Sequence, residues 1–295
     1  MSLEDLIITI YCSIEEIYQE ATKGIHLRAR GSAPALTDTE VLTMLVVGEY
    51  LGLGSDKKIW LYFSQHWSTW FPKIGCRTSF TRQSANLLEI LNRMQQKISE
   101  QLCNNKDLYF FDGFPIPICH IKRYKRKSPF RGIGSVGYCA AKDYKYFGFK
   151  GHLLISFEGV ARGVSVAPAH IDERDVLPEV VAGLMGDVLA DKGLIRPELT
   201  EILMNQGMNL HTPLRKNMKD DRPKEFVSQI MNLRRKIETV IGQLVERFNI
   251  QTIRAKDSWH LMAKIGRKLL AHTICFFINQ SINPEHPLQI ESLLA

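Results

Sequence analysis

The stretch Leu108-Tyr109-Phe110-Phe111-Asp112-Gly113 constrains this chain more than any other. Large apolar residues in succession ask for a buried strand, and the carboxylate that ends them is costly to bury unless a cation or hydrogen-bond donors compensate it. From Leu108 to Ile118 the sequence stays aromatic and β-branched, punctuated by Gly113, Pro115 and Pro117, which predicts a strand leaving a core. On local pattern alone Asp112 is either a functional acid or a turn-forming residue before Gly113.

Further patterns predict that strand's neighbours. Residues 151–157 and 160–167 read as a hairpin turning at Glu158-Gly159. A helix is expected at 175–185, a short strand at 188–190, a helix at 197–206, a strand at 210–214, and long helices at 223–248 and 258–279. Strands and helices in this order imply an α/β domain with a mixed sheet flanked by helices.

Two more carboxylates stand out. Asp191 ends Val188-Leu189-Ala190, a place where ligands bind in open sheets. Asp187 precedes the same strand and falls roughly 13 Å away at about 3.3 Å per residue. Glu238 borders an apolar stripe made by Phe226, Ile230, Leu233, Ile237, Ile241, Leu244 and Phe248, with Arg234 one turn before it. Glu246 has polar neighbours and is expected to face water. Each acid alone also suits a turn or a surface ion pair. Together, two aspartates from strands and a glutamate from a helix offer oxygen-only ligands, which suit Mg²⁺ or Mn²⁺ rather than zinc.

The first hundred residues predict helices. Thr37-Asp38-Thr39-Glu40 has capping-box spacing before the apolar run 41–51. Trp60, Phe63, Trp67 and Trp70 read as a core stripe, and 79–101 as one helix. This gives a helical module over 1–104 and a mixed-sheet domain with C-terminal helices over 105–295.

Lys and Arg number 38 against 31 Asp and Glu, a surplus that favours polyanionic partners. The densest run, Lys122, Arg123, Lys125, Arg126 and Lys127 with Arg131 beyond, reads as a backbone grip beside the Asp112 strand or as a solvated loop. Arg254, Lys256, Lys264, Arg267 and Lys268 form a more diffuse basic region. His120, His152, His170 and His260 lack metal-ligand spacing and read as structural or capping residues. Six scattered cysteines without a Cys-x-x-Cys pair suit reduced thiols. With no apparent signal peptide or membrane-length apolar run, a cytoplasmic location without membrane attachment is expected.

With Tyr109-Phe110-Phe111-Asp112-Gly113, Leu189-Ala190-Asp191-Lys192-Gly193-Leu194, and Arg234-Arg235-Lys236-Ile237-Glu238 running on to Glu246-Arg247-Phe248, the chain resembles DDE-type transposases of bacterial insertion sequences. These belong to the RNase H-like integrase superfamily, and insertion-sequence family nine-eight-two is the most similar. The resemblance implies an RNase H-like fold with Asp112, Asp191 and Glu238 as catalytic acids holding two Mg²⁺ or Mn²⁺ ions. It also implies DNA-end binding or dimerisation by 1–104 and catalysis by 105–295, Arg234 near a DNA phosphate, terminal inverted repeats and target DNA as partners, a homodimer on DNA, and a bacterial, nucleoid-associated setting. Leu194 stands where relatives often have Tyr, and Met231 and Val245 where a wider signature has Tyr and Lys. The DNA contact of that Lys then falls to Lys236, Arg247 or Arg254. The 47 positions between Asp191 and Glu238 leave no room for a large insertion domain. Two rival classes are a catalytically inactive, transposase-derived DNA-binding protein and an acid/base hydrolase such as a glycosidase. Metal-dependent nicking separates the first from an active enzyme, and salt-sensitive DNA binding argues against the second.

Overall fold

The computed structural model describes residues 1–25, 27, 32–103, 107–127, 130–139, 142–215, 217–219 and 221–294, with the backbone alone for 125–127 and 226. The expected boundary near residue 105 lies outside the described residues, as do the side chains of Lys125, Arg126, Lys127 and Phe226. The chain divides into two compact units, Met1–Leu102 with Leu244–Ala295, and Cys103–Gln243.

The first unit is helical: α1 (Leu3–Thr22), α2 (Asp38–Tyr50), α3 (Asp56–His66), α4 (Arg77–Asn86) and α5 (Leu88–Leu102). α2 opens with the predicted capping box, Thr37 and Glu40 bonding each other's backbone N–H. Nearly every residue of α2 is buried. The C-terminal helix, Ser258–Ile282, packs on α2 and α5 and is likewise buried along most of its length. A helix apolar on all sides needs covering on all sides. This is why 244–295 joins the N-terminal helices, where the sequence reading attached it to the catalytic segment.

Three further expectations change in this unit. The helix expected at 79–101 is two helices, because Leu87 turns the chain between them. Only Phe63 of the aromatic stripe is fully buried. α3 ends at His66, so Trp67 and Trp70 leave its face, and Trp70 is exposed. Arg267 and Lys268, read as part of a basic surface, are buried and ion-paired, Arg267 with Glu49 and Asp56 and Lys268 with Glu49. They hold α2 and the C-terminal helix together and present no surface to a polyanion.

The second unit is built on a six-stranded mixed sheet. β1 (Leu108–His120) is followed by α6 (Ile121–Lys127), β2 (Ser135–Cys139), β3 (Tyr144–Ser156), β4 (Ala161–Pro168), α7 (Glu173–Val180), β5 (Gly186–Leu189), α8 (Pro197–Asn205), β6 (Met208–His211) and α9 (Lys224–Glu246). β3 pairs antiparallel with β1 along one edge, and with β2 and then β4 along the other. β5 is parallel to both β1 and β6. Four antiparallel strands, β2 and β4 sharing the outer edge of β3, continued by two parallel ones, with helices on the faces, form the α/β, RNase H-like architecture expected.

The hairpin closes as predicted: Ser156 donates its N–H to Val160 (2.8 Å) and Gly159 adopts φ +103°. β3 starts seven residues before the predicted Gly151, and β2 was not foreseen. Tyr109, Phe111, Leu154, Val188 and Ala190 join residues of α7 and α8 in one apolar core. Successive strand residues face opposite ways, so Phe110, Asp112, Leu189 and Asp191 belong to the other face, where α9 runs. The C-terminal helix over Ser258–Ile282 is α10. Among the described residues no helix is long and apolar enough to cross a membrane.

Candidate active site on the mixed sheet

Asp112 lies on β1 beyond the last residues that pair it with β5, Phe110 opposite Leu189. Its carboxylate takes the N–H of Gly113 at 2.8 Å. Asp191 follows β5 and opens a 3₁₀ turn over Lys192–Leu194. Ala190 is still tied to the sheet by its N–H to His211 (3.0 Å), so Asp191 leaves from a fixed point. Glu238 sits one turn after Arg234 on α9, held in place by Ile230, Ile237 and Val240, all buried.

The three acids meet around one guanidinium. Arg234 approaches Asp112 at 3.8 Å, Asp191 at 3.5 Å and Glu238 at 3.5 Å. Its side chain is 14% exposed, against 24% for Asp112, 41% for Asp191 and 55% for Glu238, so the cluster is a cleft with its cation at the bottom. Among the described residues the Nε of Arg234 is buried without a hydrogen-bond partner. Burial pushes the Asp112 carboxyl up to about 6; the Glu173 and Asp191 charges add to the rise, while the Gly113 N–H and Arg234 oppose it.

A second ion pair adjoins the cluster. Lys150 of β3 binds Glu173 at the start of α7. A Cβ on Gly113 would lie 2.4 Å from the Glu173 Oε1 and 2.9 Å from the Lys150 Cε, so only glycine lets this pair close against β1. The sequence reading missed Glu173 and Lys150. The available signal was Asp172, which caps α7 two residues earlier than the predicted start.

Other candidates lie elsewhere. Asp187 pairs with His211 at 2.7 Å at the opposite end of β5, and Glu246 is exposed. Lys236 donates to the Phe157 carbonyl and stacks over that ring, and Arg247 stacks on Tyr50. Of the three possible stand-ins for the absent Lys, these two are engaged and Arg254 is exposed. Leu194, in place of Tyr, is buried in the apolar core.

The basic run forms α6, not an irregular loop, with Lys122, Arg123 and Arg131 exposed. β1 extends to His120, so α6 begins roughly 30 Å along the strand from Asp112 at about 3.3 Å per residue. His152 is buried and stacked on Phe111, and His260 bonds Asp257 at the start of α10.

A family profile described as "Transposase DDE domain" matches residues 102–258, more than half of the chain and all four residues of the cluster. The chain belongs to the transposase DDE-domain family. Its fold is similar to that in the cryo-EM structure of the piggyBac transposase synaptic complex with hairpin DNA, with a TM-score of 0.51 at 10% identity over 96% of this chain and 76% of that one. At that identity the likeness is one of fold. No protein of curated function matches the chain.

Within a transposase DDE domain the arrangement has a clear chemical capacity. It concentrates carboxylate oxygens at one end of the β1–β5 pair, beside a buried arginine.

Proposed function

We propose that this chain is a DNA transposase that cleaves phosphodiesters at the ends of a mobile element and joins them to target DNA, with Asp112, Asp191 and Glu238 as its catalytic acids. The observation that carries this reading is their convergence on Arg234, at 3.5–3.8 Å, from a strand, a strand end and a helix. The donors are oxygen only, which suits hard divalent cations. Asp112 is buried enough to be pushed up to about 6 despite its arginine neighbour, so a stronger positive charge beside it relieves an electrostatic cost.

Among the described residues no three acidic, His or Cys side chains already share a metal-binding point; the Arg234 guanidinium stands between the acids. Two Mg²⁺ or Mn²⁺ ions held by Asp112, Asp191 and Glu238 supply activation of the attacking oxygen and support for the leaving one. Arg234 then has to turn from the carboxylates, and a DNA phosphate is the anion that receives it. In cleavage, water bonds to phosphorus as the P–O bond at the element end breaks, leaving a 3′-hydroxyl. In joining, that hydroxyl attacks a target phosphodiester and displaces its 3′ oxygen. Neither step needs a covalent bond to the protein.

The test is metal-dependent nicking of duplex DNA carrying the element ends. Asp112→Asn and Glu238→Gln are expected to abolish cutting while duplex binding persists; a mutant that cuts at the normal rate refutes the assignment. Binding without nicking by the unaltered chain makes it an inactive, transposase-derived DNA-binding protein. Membership of insertion-sequence family nine-eight-two, a bacterial source and action as a homodimer complete the proposal. Short inverted repeats flanking the reading frame test the first of these.

A further inference from the structure

We propose that α4 is the part of the helical unit that reads base pairs in the major groove of duplex DNA, through Arg82, Asn86 and Thr78. This rests on the reading of the chain as a DNA transposase.

Charge comes first. Residues 57–88 contain Lys57, Lys58, Lys73, Arg77 and Arg82 and no Asp or Glu; 113–142 and 258–284 are the other long stretches without an acid, and within the N-terminal hundred residues 57–88 is the longest. A carboxylate-free segment of this length favours a polyanion over a protein partner of mixed charge.

Geometry comes second. One side of α4 is fixed inward: Phe80, Ser84 and Ala85 are buried. Gln83 donates to the Leu36 carbonyl (3.0 Å) and to Asp38 (2.8 Å), and the Trp259 indole donates to the Ala85 carbonyl (2.7 Å). The opposite side is a ridge. A hollow of about 660 Å³ lies on one flank and one of about 330 Å³ on the other, and Arg82 and Asn86 line both. Thr78, Arg82 and Asn86 follow one another at four-residue intervals and are all exposed. Lys73 borders the first hollow, where Asp38 is taken by Gln83 and Glu89 is paired with Arg93, and Lys256 borders the second, so each flank of the ridge has an exposed ammonium.

Chemistry comes third. An α-helix with its side chains is about 10–12 Å across and a major groove about 12 Å wide, so the ridge can lie along the groove. Arginine pairs bidentately with guanine O6 and N7, asparagine with adenine N6 and N7, and the threonine methyl meets that of thymine. The flanking lysines then face the phosphates bordering the groove.

The experiment selects a preferred sequence from a randomised duplex library with the full-length protein. It then measures binding of that duplex and a scrambled one. Arg82→Ala and Asn86→Ala are each expected to weaken the selected duplex by about tenfold or more while leaving the scrambled one nearly unchanged. Arg82→Lys, which keeps the charge, is expected to lose discrimination just as fully. Wild-type selection of a motif with unchanged discrimination in all three variants overturns the assignment to α4 alone. Failure of the wild type to bind any duplex overturns both this assignment and the transposase reading. Variants that alter the sedimenting mass without altering discrimination make the ridge a contact between copies of the chain, which also overturns it. Circular dichroism confirms that the variants, all at exposed positions, remain folded.

Discussion

Asp112 and Asp191 each lie two residues beyond the last backbone partners of β1 and β5, Phe110 and Leu189. Asp112 is still on β1 while Asp191 has just left β5, so the equal offset carries both acids past the same end of the β1–β5 pair, and alternation along the chain gives them the same face. Two acids 79 positions apart are thus brought together by register alone.

The contrast between Asp191 and Asp187 follows. Asp191→Asn is expected to lower metal-dependent cleavage by at least about 100-fold, since even residues behind metal ligands cost 10–100-fold when changed. Asp187→Asn is expected to leave cleavage within a few-fold, because Asp187 lies near the start of β5 and its carboxylate is taken up by His211 and not by Arg234. Single-turnover rates on one duplex decide; equal losses in the two mutants contradict the geometry.

Arg234 is the only cation the three acids share among the described residues. Arg234→Ala leaves them repelling one another and is expected to cost roughly 1–3 kcal/mol, discounted from the usual figure for a broken buried pair because Asp191 and Glu238 are substantially exposed. Millimolar Mn²⁺ is expected to restore much of the lost melting temperature by binding the folded state. Thermal unfolding with and without the ion measures this, and a mutant indifferent to Mn²⁺ argues that these acids hold no cation.

Gly113 and Gly148 separate two kinds of crowding. At Gly148 an added Cβ meets the Ile116 carbonyl oxygen at 2.4 Å and the Ile118 nitrogen at 2.8 Å, both backbone. Gly148→Ala is expected to destabilise by about 1–3 kcal/mol. At Gly113 the clash is with the ends of Glu173 and Lys150, which can move. Gly113→Ala is expected to leave the melting temperature nearly unchanged while slowing cleavage. Denaturation and cleavage measured on both mutants check the pair.

Acid should loosen the helical unit. His272 on α10 is fully buried, and burial lowers its imidazole to about 4, whereas an unfolded histidine titrates near 6.5. The folded state thus stays neutral while the unfolded state takes up a proton. The stabilising contribution is present in full above about pH 6.5 and is lost as pH falls toward 4, on the order of 3 kcal/mol over that window. His272→Leu is expected to shrink the fall in stability between pH 7.5 and 5. An undiminished fall assigns the acid sensitivity elsewhere.

The α6 run bears on salt dependence. Neutralising Lys122, Arg123 and Arg131, all exposed, is expected to flatten the dependence of log Kd on log salt by about 0.9 for each phosphate that a cation no longer neutralises. An unchanged slope by fluorescence anisotropy takes α6 off the DNA path.

By itself the sequence determined the strand that carries Asp112, the hairpin at Glu158-Gly159, the capped start of α2 and the family resemblance, and it picked out Asp112, Asp191 and Glu238 as candidates, because periodicity, capping and turn chemistry act over a few residues. Only the tertiary structure decided that Arg234 lies among the acids, that Lys150 and Glu173 close over Gly113, and that Arg267 and Lys268 are buried partners of Glu49. It alone placed α10 among the N-terminal helices and α6 far along β1. Those facts depend on which faces and strand ends meet across long stretches of chain, and a local pattern holds no record of what it will be packed against.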